Sequence, residues 1–382
     1  MNFLISGGGT GGHIFPAISI ANALRKIQPD CQILFIGANG RLEMQKVPQA
    51  GYEIVGLDVM GFERKQVWKN FSVIFTFLKS YFKAKKIVKN FAPDVAIGVG
   101  GYVSGAAMWA ASALKVPVLL QEQNSFAGVT NRFLAKKASK ICVAYNGMEK
   151  FFPNEKIIFT GNPVRELRVK SEELRVAYEH FGLSPDKKTL LIIGGSLGAK
   201  TINESVLKMK NEELRIKNEL NNLQIIWQTG KNYIDKINEE IKMKNEEYNE
   251  ITDNSSFLIL NSSFISSFIE RMDYAYAIAD LVISRAGAST ISELCLLEKP
   301  SILVPSPNVA ENHQFHNANA LATKNAAILI EDKDAVENLV TAAINTIFDD
   351  KKLTELSKNI SKLAVKNSSE MIAEEAIKLM NN

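Results

Sequence analysis

The sequence predicts an α/β protein built as two doubly wound parallel-sheet domains in tandem. Three observations carry this. An apolar strand that runs into a glycine-rich turn and then a helix occurs at four places, beginning near Asn2, Asp94, Leu190 and Leu281. Buried apolar strands alternating with helices imply parallel sheets. The first and third of these units each read as the opening of a Rossmann-like domain, and Thr160-Gly161-Asn162-Pro163 breaks the pattern between them. A chain of 382 residues, 46% hydrophobic, is long enough for two full cores. The expected divisions are residues 1–162, residues 163–350, and a C-terminal helix over 351–382 that packs back on the body through Leu353, Leu356, Ile360 and Leu363. Ligands of such sheets lie at the carboxyl ends of the strands, so two sets of glycine loops facing each other would bound an interdomain cleft.

The first unit carries the most chemistry. The strand Asn2-Phe3-Leu4-Ile5-Ser6 runs into Gly7-Gly8-Gly9-Thr10-Gly11-Gly12-His13, and a helical pattern starts at Ile14. Glycines allow a sharp turn and close approach to a ligand, and the helix start offers unpaired N–H groups that suit a phosphate. Gly7-x-Gly9-x-x-Gly12 formally fits the dinucleotide fingerprint, which also needs an acid at the end of the second strand. That strand, Gln32-Ile33-Leu34-Phe35-Ile36, ends on Gly37, which argues against a nicotinamide cofactor. A Walker A loop would close with Gly-Lys-Ser/Thr, whereas Gly12 is followed by His13-Ile14. His13 adds an imidazole that a phosphate loop does not need.

The other three units are Gly98-Val99-Gly100-Gly101-Tyr102-Val103-Ser104-Gly105, Gly194-Gly195-Ser196-Leu197-Gly198-Ala199 and Ser284-Arg285-Ala286-Gly287-Ala288. Met209-Lys210-Asn211-Glu212-Glu213 recurs as Met243-Lys244-Asn245-Glu246-Glu247, a charged repeat that reads as solvated helix without chemistry.

Composition excludes several classes. Cys31, Cys142 and Cys295 have neither metal nor disulfide spacing, which fits a reducing cytoplasm. The N-terminus lacks a basic segment before its apolar run, so no signal peptide is expected, and no apolar stretch nears the roughly 20 residues of a membrane span. A net charge of +4 is too mild to indicate nucleic acid. It is unevenly spread, however: residues 62–89 hold eight Lys/Arg against Glu63 alone, a net +7, together with Phe62, Trp68, Phe71, Phe75, Phe77, Tyr81 and Phe82. Basic, aromatic and helix-periodic, the segment reads either as an interfacial membrane contact or as a helix whose Trp68/Phe71/Phe75/Leu78/Phe82 stripe packs into the core.

Seven motifs in order resemble the MurG glycosyltransferase family over nearly the whole chain. They are Gly-Gly-Thr-Gly-Gly-His (8–13), Gly-Val-Gly-Gly-Tyr-Val-Ser-Gly (98–105), Gln-Glu-Gln-Asn (121–124), Gly-Asn-Pro-Val-Arg (161–165), Gly-Gly-Ser-Leu-Gly-Ala (194–199), Ser-Arg-Ala-Gly-Ala (284–288) and Ala-Glu-Asn-His-Gln (310–314). Gln121 and Ala106 depart from the family pattern, which has histidine and proline there in many members. The resemblance implies a GT-B fold. It also implies inverting transfer of N-acetylglucosamine from UDP-N-acetylglucosamine to O4 of the muramyl sugar of lipid I, with release of UDP and no cofactor. The enzyme would work as a peripheral protein on the anionic cytoplasmic face of the inner membrane.

The same resemblance implies residue roles. His13 is the candidate base for the acceptor hydroxyl, with Glu122 a competing carboxylate and helix capping or phosphate binding the plainer role for the imidazole. Thr10, Gly11 and Gly12 would contact the donor sugar or a diphosphate. Gly100, Gly101, Tyr102 and Ser104 would cradle the acceptor diphosphate, unless they serve only the turn. Asn124 suits sugar hydroxyls, or an Asx-turn. Arg165 and Ser196 would offset the charge of departing UDP. Glu293 would accept the ribose hydroxyls, although Thr290-x-x-Glu293 also fits a capping box. Ala288 and Ser289 would leave room for the nucleotide, Ile269 would border the uracil, and Gln314 would reach the sugar. Asp332-Lys333-Asp334 fits a metal motif on paper, but it follows a strand and starts a helix, so an N-cap is expected there and no metal. Two other readings remain: a UDP-N-acetylglucosamine 2-epimerase-like enzyme, and a non-catalytic subunit that binds a nucleotide sugar at the membrane.

Overall fold

The computed structural model describes the chain apart from residues 10, 60–69, 165–166, 213–221, 252–262, 310–311 and 381–382, and apart from the side chains of 70–74, 209–212 and 244–251. Two compact units result: Met1–Arg165 with Val365–Asn382, and Glu166–Ala364.

The first unit is a seven-stranded sheet of order β3-β2-β1-β4-β5-β6-β7. Its strands are β1 (Asn2–Ser6), β2 (Gln32–Ala38), β3 (Glu53–Leu57), β4 (Val95–Gly98), β5 (Val118–Glu122), β6 (Lys140–Val143) and β7 (Ile157–Phe159). Every pair is parallel. The strands are buried on both faces and therefore read as continuous apolar runs rather than alternating ones. Helices α1 (Gly11–Ile27), α2 (Glu43–Gln49), α3 (Asn70–Phe91), α4 (Tyr102–Ala113) and α5 (Val129–Leu134) follow their strands. Strand order reverses between β1 and β4, so Ser6 and Gly98 end side by side at the switch point where open α/β sheets bind ligands.

The second unit is a six-stranded parallel sheet of order β10-β9-β8-β11-β12-β13. Its strands are β8 (Lys188–Ile193), β9 (Leu223–Gln228), β10 (Ser263–Ser266), β11 (Leu281–Ser284), β12 (Ser301–Leu303) and β13 (Ile328–Leu329). The helices are α6 (Leu174–Phe181), α7 (Lys200–Glu212), α8 (Ile234–Ile251), α9 (Met272–Ile278), α10 (Ala288–Leu296), α11 (His313–Ala322) and α12 (Asp332–Ile347). Its switch point lies between β8 and β11, with Ile193 opposite Ser284. Backbone helix covers the charged repeats as far as Glu212 and over 234–251, while the stretch between 213 and 221 lies outside the described residues.

The tail is not one helix. It forms α13 (Asp350–Ser361) and α14 (Ser368–Lys378), broken at 362–367, and the two belong to different units. Leu353 and Ile360 of α13 enter the second unit's cores, whereas Ile372, Ala373, Ala376 and Leu379 join Ile14, Ile20 and Leu24 of α1 in a core of the first. Asn367 adopts a left-handed conformation (φ 58°) at the start of α14, a position that asparagine tolerates better than most residues.

Candidate active site

At the first switch point the two glycine loops interlock. A Cβ on Gly101 (φ 85°) would lie 2.4 Å from the Gly8 carbonyl oxygen, and one on Gly100 (φ 98°) would lie 2.7 Å from Cδ2 and 2.9 Å from Nε2 of His13. Both the left-handed backbone and this close approach demand glycine. His13, half-buried in the first turn of α1, is thus backed by the β4–α4 loop. Pro16, one turn on, has no N–H and cannot close the helical bond to the Gly12 carbonyl. Gly11 is half-buried and Gly12 exposed, while Thr10 lies outside the described residues. Tyr102 opens α4 and is half exposed. Ser104 is fully buried beneath Gly98, its hydroxyl unpartnered among the described residues, so its backbone N–H in the first turn of α4 is what it can present to a ligand.

Glu122 ends β5 and is buried, and its carboxylate is heavily engaged. Oε1 accepts from the Asn124 N–H (3.1 Å) and the Asn124 amide (3.3 Å); Oε2 accepts from the Gly128 N–H and the Asn131 amide, both at 2.9 Å. Burial pushes the Glu122 carboxyl above its usual range, and these four donors pull it back. Such a group ties down the 122–131 loop; a base needs an open lone pair. Asn124 donates both its backbone N–H and its side-chain amide to this carboxylate, contacts that are not those of an Asx-turn, in which its side-chain oxygen would accept. Beside them Gln121, Gln123 and Asn162 make a buried amide chain. Gln123 donates to the Val99 carbonyl (2.7 Å) and to Gln121, Gln121 donates to Asn162 (3.1 Å), and Asn162 returns to the Gln123 carbonyl (3.0 Å). The chain braces the strand end beneath Gly100, and no spacing rule in the sequence marks it.

The second unit repeats the interlocking device. Gly198 (φ 82°) and Gly230 (φ 87°) are wedged together, since a Cβ on Gly198 would sit 2.1 Å from the Thr229 carbonyl oxygen. This exposes Ser196 at the β8–α7 turn. Gln228 ties the region by donating to the Gly195 carbonyl (3.0 Å) and accepting from the Ile269 N–H (2.9 Å), which commits the N–H that Ile269 would have shown a uracil.

Glu293 is buried in the interior of α10 and accepts a hydrogen bond from Tyr276 of α9 at 3.1 Å. The N-cap of α10 is Gly287, three residues before Thr290, so the capping box does not form. Ala288 and Ser289 occupy the first turn, and the buried Ser289 hydroxyl finds no partner among the described residues. Gln314 spends its carbonyl oxygen on the Ser306 N–H (2.9 Å), leaving its amide NH2 as the group to offer a ligand. Arg165 lies outside the described residues. The expected N-cap at 332–334 is also corrected: Glu331 occupies the cap position. Asp332 instead pairs with Arg285 and accepts from the Thr201 hydroxyl (3.0 Å), joining β11 to α7 and α12. Among the described residues no three His, Cys, Asp or Glu side chains are grouped to hold a metal ion.

Two parallel sheets, each with an interlocked pair of glycine loops at its strands' carboxyl ends, at the β1/β4 switch point in the first unit and after β8 and β9 in the second, have the architecture of a nucleotide-sugar glycosyltransferase. Residues 3–143 match the glycosyltransferase family 28 N-terminal domain and residues 189–374 its C-terminal domain. The chain is a family 28 glycosyltransferase with the GT-B fold. It is 54% identical over 380 residues to the UDP-N-acetylglucosamine--N-acetylmuramyl-(pentapeptide) pyrophosphoryl-undecaprenol N-acetylglucosamine transferase of Bacteroides thetaiotaomicron, which covers 99% of this chain and 98% of the relative. The identically named protein of Flavobacterium psychrophilum is 46% identical over 381 residues, covering 100% and 98%. The crystal structure of Acinetobacter baumannii MurG matches with a TM-score of 0.71 at 27% identity, over 99% of both chains. The chain belongs to the MurG family. A UDP-GlcNAc 2-epimerase from Neisseria meningitidis matches with a TM-score of 0.67 at 15% identity, over 99% of this chain and 100% of that one, a likeness of fold alone.

Proposed function

We propose that the chain moves N-acetylglucosamine from UDP-N-acetylglucosamine to O4 of the muramyl sugar of lipid I, with inversion, giving lipid II and UDP. The acceptor oxygen attacks C1, the bond from C1 to the β-phosphate oxygen breaks, and the acceptor proton passes to a base. His13 takes that role. The observation that carries it is the seating of its imidazole against Gly100, at the carboxyl ends of β1 and β4. Glu122 is the weaker choice because both of its oxygens already accept two hydrogen bonds. Gly11 and Gly12 border the sugar, and the N–H groups of Gly100, Gly101, Tyr102 and Ser104 receive the acceptor diphosphate. Glu293 holds the ribose, Ser289 and Gln314 contact the nucleotide sugar, and Arg165, Ser196 and the N-terminus of α7 offset the charge of UDP without a metal.

The acceptor lies in a bilayer, and α3 carries a surface suited to one. Phe75, Leu78 and Phe82 are 72%, 47% and 64% exposed, while Phe77, Tyr81, Ala84 and Val88 face the core. Over that length the core-packing reading of the stripe is overturned; Phe62 and Trp68 and the Phe71 side chain lie outside the described residues. Phe77 meets Trp109, which meets Phe133 of α5 (53% exposed) and carries the Lys137 ammonium over its ring, so the aromatic surface continues across three helices. No helix among the described residues is long and apolar enough to cross a membrane. The protein docks peripherally on the anionic cytoplasmic face.

The test is UDP release from UDP-N-acetylglucosamine with and without lipid I. Acceptor-dependent release, lowered about 10²–10⁴-fold in His13→Ala with UDP affinity retained, is expected. Release without acceptor, or epimerisation of the donor, would overturn the assignment.

A further inference from the structure

Glu43 opens α2 and is completely buried, yet it belongs to none of the seven motifs. Both carboxylate oxygens lie 3.2 Å from the Gly9 N–H, and Oε1 also accepts from the Ala38 N–H at 3.0 Å. Two glycines exist to admit it: a Cβ on Gly8 would fall 2.0 Å from Oε1, and one on Gly37 would fall 2.7 Å from Cγ. A side chain kept only for packing would be apolar, because a buried carboxylate is costly unless its oxygens are satisfied. Here backbone N–H groups satisfy it, the same donors a loop of this kind offers to a phosphate.

We infer that Glu43 is a positioning residue for the His13 loop, its carboxylate filling from inside the protein the anion seat of the β1–α1 turn. The contacts run in series. Glu43 fixes Gly8 and Gly9, the Gly8 carbonyl abuts Gly101, and Gly100 of the same loop backs the His13 ring. With the Gly9 N–H taken and a negative charge beneath the turn, this loop receives the uncharged sugar. The acceptor diphosphate is left to the first turn of α4. The inference rests on the proposed transfer reaction for its kinetic consequence but not for its structural one.

Glu43→Gln preserves size and removes the charge, setting an amide NH2 against the Gly9 or Ala38 N–H; Glu43→Asp keeps the charge on a shorter arm. In the full-length protein, Glu43→Gln is expected to lower kcat with lipid I about 10²-fold, the usual consequence of an ångström-scale misplacement. UDP affinity should be retained and the melting transition should fall but stay cooperative, as a buried amide opposed to an N–H requires, and Glu43→Asp should recover part of the rate. Amide exchange at Gly9, slow in the parent, should become fast in the Gln variant, and inorganic pyrophosphate should become a better competitor of lipid I. Unchanged turnover, or unchanged Gly9 exchange in Glu43→Gln, would overturn the inference. A parent protein that releases no UDP on lipid I would instead sink the transfer reaction, leaving the exchange measurement to judge Glu43.

Discussion

Tyr276 holds the Glu293 carboxylate within α10 before any nucleotide arrives, so a ribose would meet an acceptor already oriented. Hydrogen bonds to a charged group contribute about 1.5–3 kcal/mol each. Glu293→Ala should therefore weaken UDP at least a hundredfold by calorimetry, and Tyr276→Phe should weaken it several-fold. Unchanged UDP affinity in Glu293→Ala would remove the nucleotide role. Glu122 makes a different prediction. Its carboxyl titrates above the ordinary value of 4.5 in the fold, so the folded state holds the proton more tightly than the unfolded chain does. That contribution to stability is full below pH 4.5 and is lost as pH rises through the raised folded value. Glu122→Gln abolishes this slope but opposes an amide NH2 to the N–H groups of Gly128 and Asn131, a cost of about 1–3 kcal/mol. Melting experiments should find the variant less stable than the parent, by a margin that narrows as pH rises through that window. A margin independent of pH would mean that Glu122 does not titrate there.

Helix α3 decides at the level of the element whether the protein reaches a bilayer. Phe75, Lys79, Phe82, Lys86 and Lys89 recur at helical spacing and are all exposed, a single basic and aromatic face. Lys83 differs: its ammonium donates to the Gly56 carbonyl at 2.8 Å, so replacing it would disturb β3 as well as charge. Binding to anionic vesicles should fall when Lys79, Lys86 and Lys89 become glutamate, with about 1 kcal/mol lost per lysine removed and the effect shrinking at high salt. Phe75→Ser with Phe82→Ser should remove the salt-resistant remainder. Vesicle sedimentation at low and high salt checks both; binding equal to the parent in both variants would place the membrane contact elsewhere. The sequence made the aromatic period of this helix legible but not its direction. One amphipathic stripe reads the same whether it faces a core or a bilayer, and only the packing of Phe77, Ala84 and Val88 under α4 separates the two.

At the scale of the molecule, the chain leaves the first unit near Arg165 and returns to it at Val365. Ile372, Ala373 and Ala376 of α14 and Leu379 just after it are all buried in the core they share with α1, and Gly161 leaves room for Val365 and Ser368. Burying residues the size of Ile and Leu stabilises by about 1.5–3 kcal/mol each. Ending the chain at Ala364 should therefore destabilise the first unit by several kcal/mol while UDP binding, assigned to the second, persists. Calorimetric scans with and without UDP would show this; a truncation that lowers both units equally would contradict the division.

Both sheets and the glycine loops were legible from the sequence because each rests on a local pattern. A buried parallel strand is an apolar run, and a phosphate-type turn is a glycine cluster before a helix. The motifs placed His13 and Gln314 at helix starts by the same local logic, whereas Glu293, outside all seven, lies within α10. What the order of residues could not state was how distant side chains are spent. Asp332 is consumed by Arg285 and Glu43 by the Gly9 turn, whose donors come from other segments, and Glu122 by the loop that follows it, because a carboxylate withdrawn from water must find donors. The division of the tail into α13 and α14 was hidden likewise, since its stripe is helical throughout and only the cores of two separate units decide which half goes where. Local pattern determined the elements and their chemistry; three-dimensional satisfaction of buried polar and apolar groups decided which residues remained available for function.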